Sequence, residues 1–199
     1  MHTVKNNNNT LLFHLAPMVL ASLCAFGTPS AWATNLTVNS LADTVVAGDG
    51  LCTLREAFSN AATNTDTSNG DCLAGLSNDT INFTVSGTIT LGSTLSVNTP
   101  ASPFGTGLTL SGQGQKVTLS GNNAVRILHV ASGANVSVNG LTFANGFSGS
   151  GSFGGLNGGG AIYNENGNMN ILNCTFVNNS SNGSGGAIGN YGNTLTSGG

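Results

Sequence analysis

The chain has 199 residues, 30 of them glycine and 28 asparagine, with 6% charged side chains and a formal net charge of −3. Soluble domains are ordinarily about one quarter charged, and so little charge excludes nucleic acid as a partner, because neutralising phosphates needs a basic face. Heptads and long helical periodicity are absent, and short Val, Ile, Leu and Thr runs alternate with turn-forming residues, which predicts a single all-β domain.

Residues 1–33 read as a secretory signal peptide. Lys5 precedes a mostly apolar run from Leu11 to Phe26, and Ala31-Trp32-Ala33 offers small residues ahead of a cut before Thr34. The run contains His14 and Pro17 and is short for a bilayer span. No other segment is suited to cross a membrane as a helix. The expected location is therefore secreted, or at the cell surface or outer membrane. The processed chain keeps three basic residues, seven acids and three cysteines, Cys52, Cys72 and Cys174.

Residues 34–80 form an N-terminal cap segment that holds most of the acids and the one helix signal. Leu36-Thr37-Val38 reads as a short strand. Thr53 followed three residues later by Glu56 is a capping box, and Leu54, Ala57, Phe58 and Ala61 then share one face of a short helix. Such a helix is suited to cover an open sheet end. Cys52 and Cys72 flank a polar stretch. Their spacing is compatible with a disulfide worth about 3 kcal/mol and equally with two free thiols, since spacing does not fix connectivity.

From Ile81 to Gly199 the pattern is short strands with period-two alternation, beginning with Ile81–Val85, Thr88–Leu91, Leu108–Leu110 and Val117–Leu119. The later part repeats. Residues 134–143 align with 167–176, matching Val136 to Met169, Val138 to Ile171, Leu141 to Cys174 and Phe143 to Phe176, an offset of 33. Gly159-Gly160-Ala161-Ile162 recurs as Gly185-Gly186-Ala187-Ile188 at an offset of 26. The surplus falls in a Gly/Ser stretch, Phe147–Gly158, read as an inserted loop. Units of this size, each unable to bury its apolar positions alone, predict a parallel β-helix of about five stacked coils rather than a β-sandwich. The glycine pairs serve as coil turns, and Phe143, Phe176 and Cys174 face inward. Asn145 and Asn178 occupy equivalent places suited to a side-chain ladder.

Leu51-Cys52-Thr53-Leu54-Arg55-Glu56-Ala57, preceded by Thr37–Ser40, resembles the CSLREA domain of secreted bacterial proteins, with Thr53 where the family's motif has Ser. The Gly-Gly-Ala-Ile segments and Phe176–Asn179 resemble the GGAI and FxxN repeats of polymorphic outer membrane proteins; Phe143 is followed at the same offset by Gly146. The resemblance spans nearly all of residues 35–199. It implies an exported, right-handed parallel β-helix with the CSLREA segment near its N-terminal end, associated with adhesion. With no terminal cap in view, the coil interrupted at Gly199 points to a piece of a longer protein.

Catalytic groups are sparse. Between Ile81 and Gly199 there is one carboxylate, Glu165, where glycoside hydrolysis needs two. Lys116, Arg126 and His129 are expected on different coils, His129 with no acid beside it and Glu165 as a solvated corner. Arg55 and Glu56 read as packing and capping residues. No calcium-loop spacing occurs among the acids of residues 43–79. The sequence thus assigns no catalytic residue, metal or cofactor. The expectation is an adhesin-like or structural module binding glycans or surfaces; the alternative is the N-terminal part of a carbohydrate-active enzyme with its catalytic coils beyond Gly199.

Overall fold

The computed structural model describes residues 33–98, 107–149, 158–192 and 195–198; the signal-peptide assignment up to Trp32 lies outside them. The chain is a parallel β-helix. Strand β1 (Asn35–Val38) leads through helix α1 (Leu54–Thr63) into a coil of β2 (Asp79–Phe83), β3 (Gly87–Thr90) and β4 (Leu95–Val97). The next coil is β5 (Leu108–Ser111), β6 (Val117–Ser120) and β7 (Leu128–Val130). Then follow β8 (Asn135–Asn139), β9 (Leu141–Ala144), β10 (Phe147–Ser148) and β11 (Ile162–Glu165). The last are β12 (Asn168–Leu172), β13 (Thr175–Val177), β14 (Ser180–Ser181), β15 (Ile188–Tyr191) and β16 (Leu195–Gly198).

Corresponding strands of successive coils pair in parallel, giving three faces: β1-β2-β5-β8-β12-β16, β3-β6-β9-β13 and β4-β7-β11-β15. We call them faces A, B and C. A β-sandwich would need antiparallel hairpins, and every named pairing here is parallel. Faces B and C carry four rungs each among the described residues, one fewer than the expected five coils. Face A carries six, because β1 from the cap segment is its first rung and β16 its last.

Period-two alternation sends every second side chain inward, and the parallel register stacks these into columns. On face A one column runs Leu36, Ile81, Leu110, Val138 and Ile171. On face B Ile89, Leu119, Phe143 and Phe176 form another. Phe143 is fully buried and its ring stacks on Phe176 at 5.2 Å, whereas Phe176 is only half-buried. Cys174 is half-buried against the same core, and burial pushes its thiol up.

The two sequence offsets are rung-to-rung separations of the last coils. Val136 pairs with Met169 and Phe143 with Phe176, and Ile162 pairs with Ile188. The separation is still 33 where Ser148 meets Ser181 and has fallen to 26 where Gly158 meets Ser184. The extra residues therefore enter between Ser148 and Gly158. Amides of Gly159, Gly160 and Ala161 donate to the carbonyls of Gly185, Gly186 and Ala187 at 2.7–2.9 Å, one repeat lying on the next. Gly159 has φ +56°, and a Cβ there would strike the Ile162 carbonyl, so only glycine suits this corner.

The cap is built as its sequence predicts. The Thr53 hydroxyl accepts from the Glu56 amide (3.2 Å), and the Glu56 carboxylate accepts from the Thr53 amide (3.0 Å) and the Val46 amide (2.8 Å). Leu54, Ala57, Phe58 and Ala61 are buried, and α1 packs against β1, β2 and β4, covering the first rungs. Cys52 and Cys72 form a disulfide that ties the helix entry to the following loop. Asp43 holds Arg55 through a bidentate pair at 2.8 Å, and Asp71 accepts from the Gly48, Asp49 and Gly50 amides. Asp43, Glu56 and Asp71 are thus engaged in folding the cap itself.

One expectation is revised. Asn145 and Asn178 both lie at left-handed corners (φ 52°), where asparagine is tolerated, and their place in the fold is as coil turns. The side-chain ladders run through other asparagines, Asn164 to Asn190 (2.7 Å) inside and Asn168 to Asn135 (2.9 Å) outside.

Candidate functional site

Among the described residues face A has the most rungs, six, and its outward side is a regular surface. Apart from Asn135 and Asn168, which pair with each other, the residues pointing away from the core fall into two columns. One runs Asn35, Thr80, Thr109, Ser137, Asn170 and Thr196; the other runs Thr37, Asn82, Ser111, Asn139 and Leu172. No side chain in either column is charged. Rungs lie about 4.8 Å apart and alternate residues along a strand about 6.6 Å apart, so hydroxyls and amides form a flat lattice. A shallow open groove of about 410 Å³ crosses it between Gly107 and Thr196, passing Thr109, Asn135, Ser137 and Asn170. The outer asparagines are held in place: Asn168 donates to Asn135, and Asn173 to Asn139 at 3.2 Å. Such an array offers donors and acceptors without the cost of desolvating a charge. Face B adds a single-file column of threonines, Thr88, Thr118, Thr142 and Thr175.

Face C carries a different arrangement, and it corrects the expectation that its charged residues are scattered. The register places His129 beside Tyr163, and Glu165 lies two residues further along β11 on the same outward side. The Glu165 carboxylate is 2.9 Å from His129 Nε2, and the His129 and Tyr163 rings stack at 5.9 Å. The Arg126 guanidinium lies 4.8 Å from the Tyr163 ring centre and donates to the Ser148 hydroxyl (2.7 Å) and the carbonyls of Gly158 (2.8 Å) and Gly159 (3.0 Å). Arg126, His129 and Tyr163 are buried, while the Glu165 side chain is 37% exposed. Tyr191, beside Glu165 on the next rung, is 65% exposed. Lys116, just before β6, takes no part.

The expectation of different coils is corrected: Lys116, Arg126 and His129 sit on one coil and Glu165 on the next, and in a solenoid residues one turn apart in sequence are neighbours in space. Arg126 is a structural cation. A planar, delocalised guanidinium is the one that suits an aromatic face and backbone carbonyls together. It fixes the approach of the Gly158–Gly159 corner to β11. Tyr163 was missed from sequence, and so was its pairing with His129. The signal was present: the alternation of Arg126–Val130, carried forward one turn, lands on Ile162 and Tyr163.

Burial holds the His129 imidazole below its ordinary value, and this outweighs the opposing pull of Glu165; Arg126 acts in the same sense as burial. At pH 7 the ring is neutral, and its Nε2–H donates to Glu165, since a carboxylate only accepts. For a histidine with a depressed folded pKa, the stability contribution is complete above its unfolded value, about 6.5. It is lost as the pH falls through the folded value. His129 is the only histidine left once residues 1–33 are removed, so one NMR resonance reports it. Its midpoint is expected below 6.5, and Glu165→Gln should lower it further. A midpoint at or above 6.5 would show that Glu165 outweighs burial.

Among the described residues no three His, Cys, Asp or Glu side chains converge on a point that could hold a metal ion, and no helix is long and apolar enough to cross a membrane. Compared with models of protein families, with curated proteins and with solved structures, the chain matches none of them.

Proposed function

We propose that this protein is an exported β-helix scaffold, an adhesin-like surface module that binds neutral glycans along the outer side of face A. The observation that carries the reading is the charge-free lattice of hydroxyls and amides running across six rungs. Sugar hydroxyls need donors and acceptors at regular spacing, and a rigid sheet supplies them with little ordering cost on binding. The leader-like residues 1–33 and the resemblance of the Leu51–Ala57 segment and Gly-Gly-Ala-Ile repeats to exported surface proteins support the same reading. Fold alone does not assign function, so binding is the claim to test.

Purified protein should bind one or more neutral polysaccharides on an array. Replacing Thr109, Ser137 and Asn170 together by alanine should weaken that binding by about tenfold or more, since each hydrogen bond contributes about 0.5–1.5 kcal/mol. The thermal midpoint should stay nearly constant, because all three side chains point outward. Unchanged binding by the triple variant would move the site off face A.

The His129–Glu165 pair favours a second reading, a carbohydrate-active enzyme. Glu165 keeps an exposed carboxylate beside the exposed Tyr191 ring, a combination suited to a sugar. That reading needs a second carboxylate besides Glu165 and predicts release of reducing ends from a polysaccharide, abolished by Glu165→Gln.

A further inference from the structure

Asp79 opens β2 at an inward position, in the column continued by Leu108, and it is 2% exposed. Its Oδ1 accepts from the Leu76 amide (2.9 Å) and the Thr34 amide (3.3 Å). Oδ2 is buried with no hydrogen-bond partner among the described residues. Neither of the ion pairs there involves Asp79, and burial pushes its carboxyl up. Gly75 closes the other side: a Cβ on it would lie 2.8 Å from Oδ2 and would meet the Asn60 carbonyl. A buried carboxylate with one oxygen unsatisfied is costly. The Thr34 nitrogen already lies within 3.3 Å of the same carboxylate.

Thr34 is itself fixed, because its carbonyl accepts from the Thr80 amide at 2.8 Å as the first contact of the β1–β2 ladder. Ala33, immediately before it, is exposed. In the uncut chain Thr34 brings one amide proton to Asp79. Hydrolysis of the Ala33–Thr34 bond adds water across it: Ala33 leaves with a carboxylate, and the Thr34 nitrogen becomes an amine, protonated at neutral pH. That group has three protons and a full positive charge, at a place already within reach of Oδ1.

We infer that Asp79 is a docking site for the α-ammonium of Thr34 created by processing, so that removal of the leader completes the first rung of the β-helix. The inference rests on the exported reading and adds to it a reason why the mature chain folds more stably than its precursor. The pair is formed from a carboxylate that is buried in either case, so it escapes most of the desolvation cost that makes buried ion pairs marginal.

The test is a chain with a protease recognition sequence placed immediately before Thr34, studied before and after cutting, with Asp79 or with Asp79→Asn. Asparagine keeps an acceptor for the Leu76 amide. Cutting should raise Tm by about 4–8 °C with Asp79, the shift expected of a charge-assisted hydrogen bond in a chain this size, and should change it little with Asp79→Asn. The Thr34 amine should also react with an amine reagent at pH 7 about tenfold more slowly in the folded Asp79 chain than in denaturant, one unit of pKa. That comparison needs no variant to fold. Equal Tm before and after cutting, or equal labelling rates, would overturn the docking. The first residue of the naturally exported protein tests processing separately. A start other than Thr34 overturns the inference at that step, and a start at Thr34 without the Asp79-dependent gain overturns docking while export stands.

Discussion

Phe143→Ala should cost about 3–5 kcal/mol, the range for emptying a buried aromatic site, out of a total that for most proteins is about 5–15 kcal/mol. Phe143 is fully buried, with Leu119 on the rung before it and the Phe176 ring stacked on the rung after it. Its loss removes contacts on both sides. A solenoid is held together by nearest-neighbour interfaces between rungs, so the cavity should also loosen the coupling between the coils before and after it. Denaturation followed by amide exchange should show β12–β15 opening at lower denaturant than β2–β7. Phe176→Ala removes a half-buried ring and should cost clearly less. Equal costs for the two variants, or an unfolding transition that stays single and merely shifts, would argue against this account.

Replacing Cys52 and Cys72 together by serine should cost about 3 kcal/mol, from the freedom returned to the unfolded loop. Their sequence separation is 20. For a chain of this size the corresponding fall in Tm is about 6–12 °C. The loss should concentrate in the cap, because the bridge lies at the entry to α1, which packs over β1, β2 and β4. Thiol counting gives an independent check: the chain beginning at Thr34 should show one free thiol when oxidised, Cys174, and three after reduction. Because burial raises the Cys174 thiol, it should label slowly in the native state. An unchanged Tm on reduction would remove the bridge from the list of forces that hold the cap.

Phe143 and the Cys52–Cys72 pair are both visible in the sequence as an inward repeat position and a spaced cysteine pair. Alternation in short runs and the offsets of 33 and 26 were enough to identify the stacked coils. In a parallel solenoid the register is the repeat, so aligning Val136 with Met169 on paper already pairs them in space. The capping box was equally legible, because its two residues satisfy each other's backbone locally. Asp79 and His129 are different, because their surroundings come from other coils. Asp79 reads as one more loop acid, and its buried, half-satisfied carboxylate exists only because β2 turns it inward. His129 and Glu165 are separated by 36 positions, in a stretch where the inserted loop breaks the repeat, and no local rule connects them.

Composition by itself determined the chemistry of the surface. With so few charges and so many Asn, Ser and Thr residues, whichever side chains faced outward on face A had to form a neutral, hydrogen-bonding array. Alternation and repetition determined the architecture, since a coil with a single apolar row can be stabilised only by another coil stacked on it. What the tertiary structure alone decided is which outward residues share a column, which rungs bury a guanidinium against a tyrosine, and which carboxylate meets the nitrogen of Thr34. Those contacts depend on the number of residues in each turn, and that number varies along the chain. Spacing within one strand is local and can be read directly, whereas adjacency across a turn of variable length is set only when the coils close.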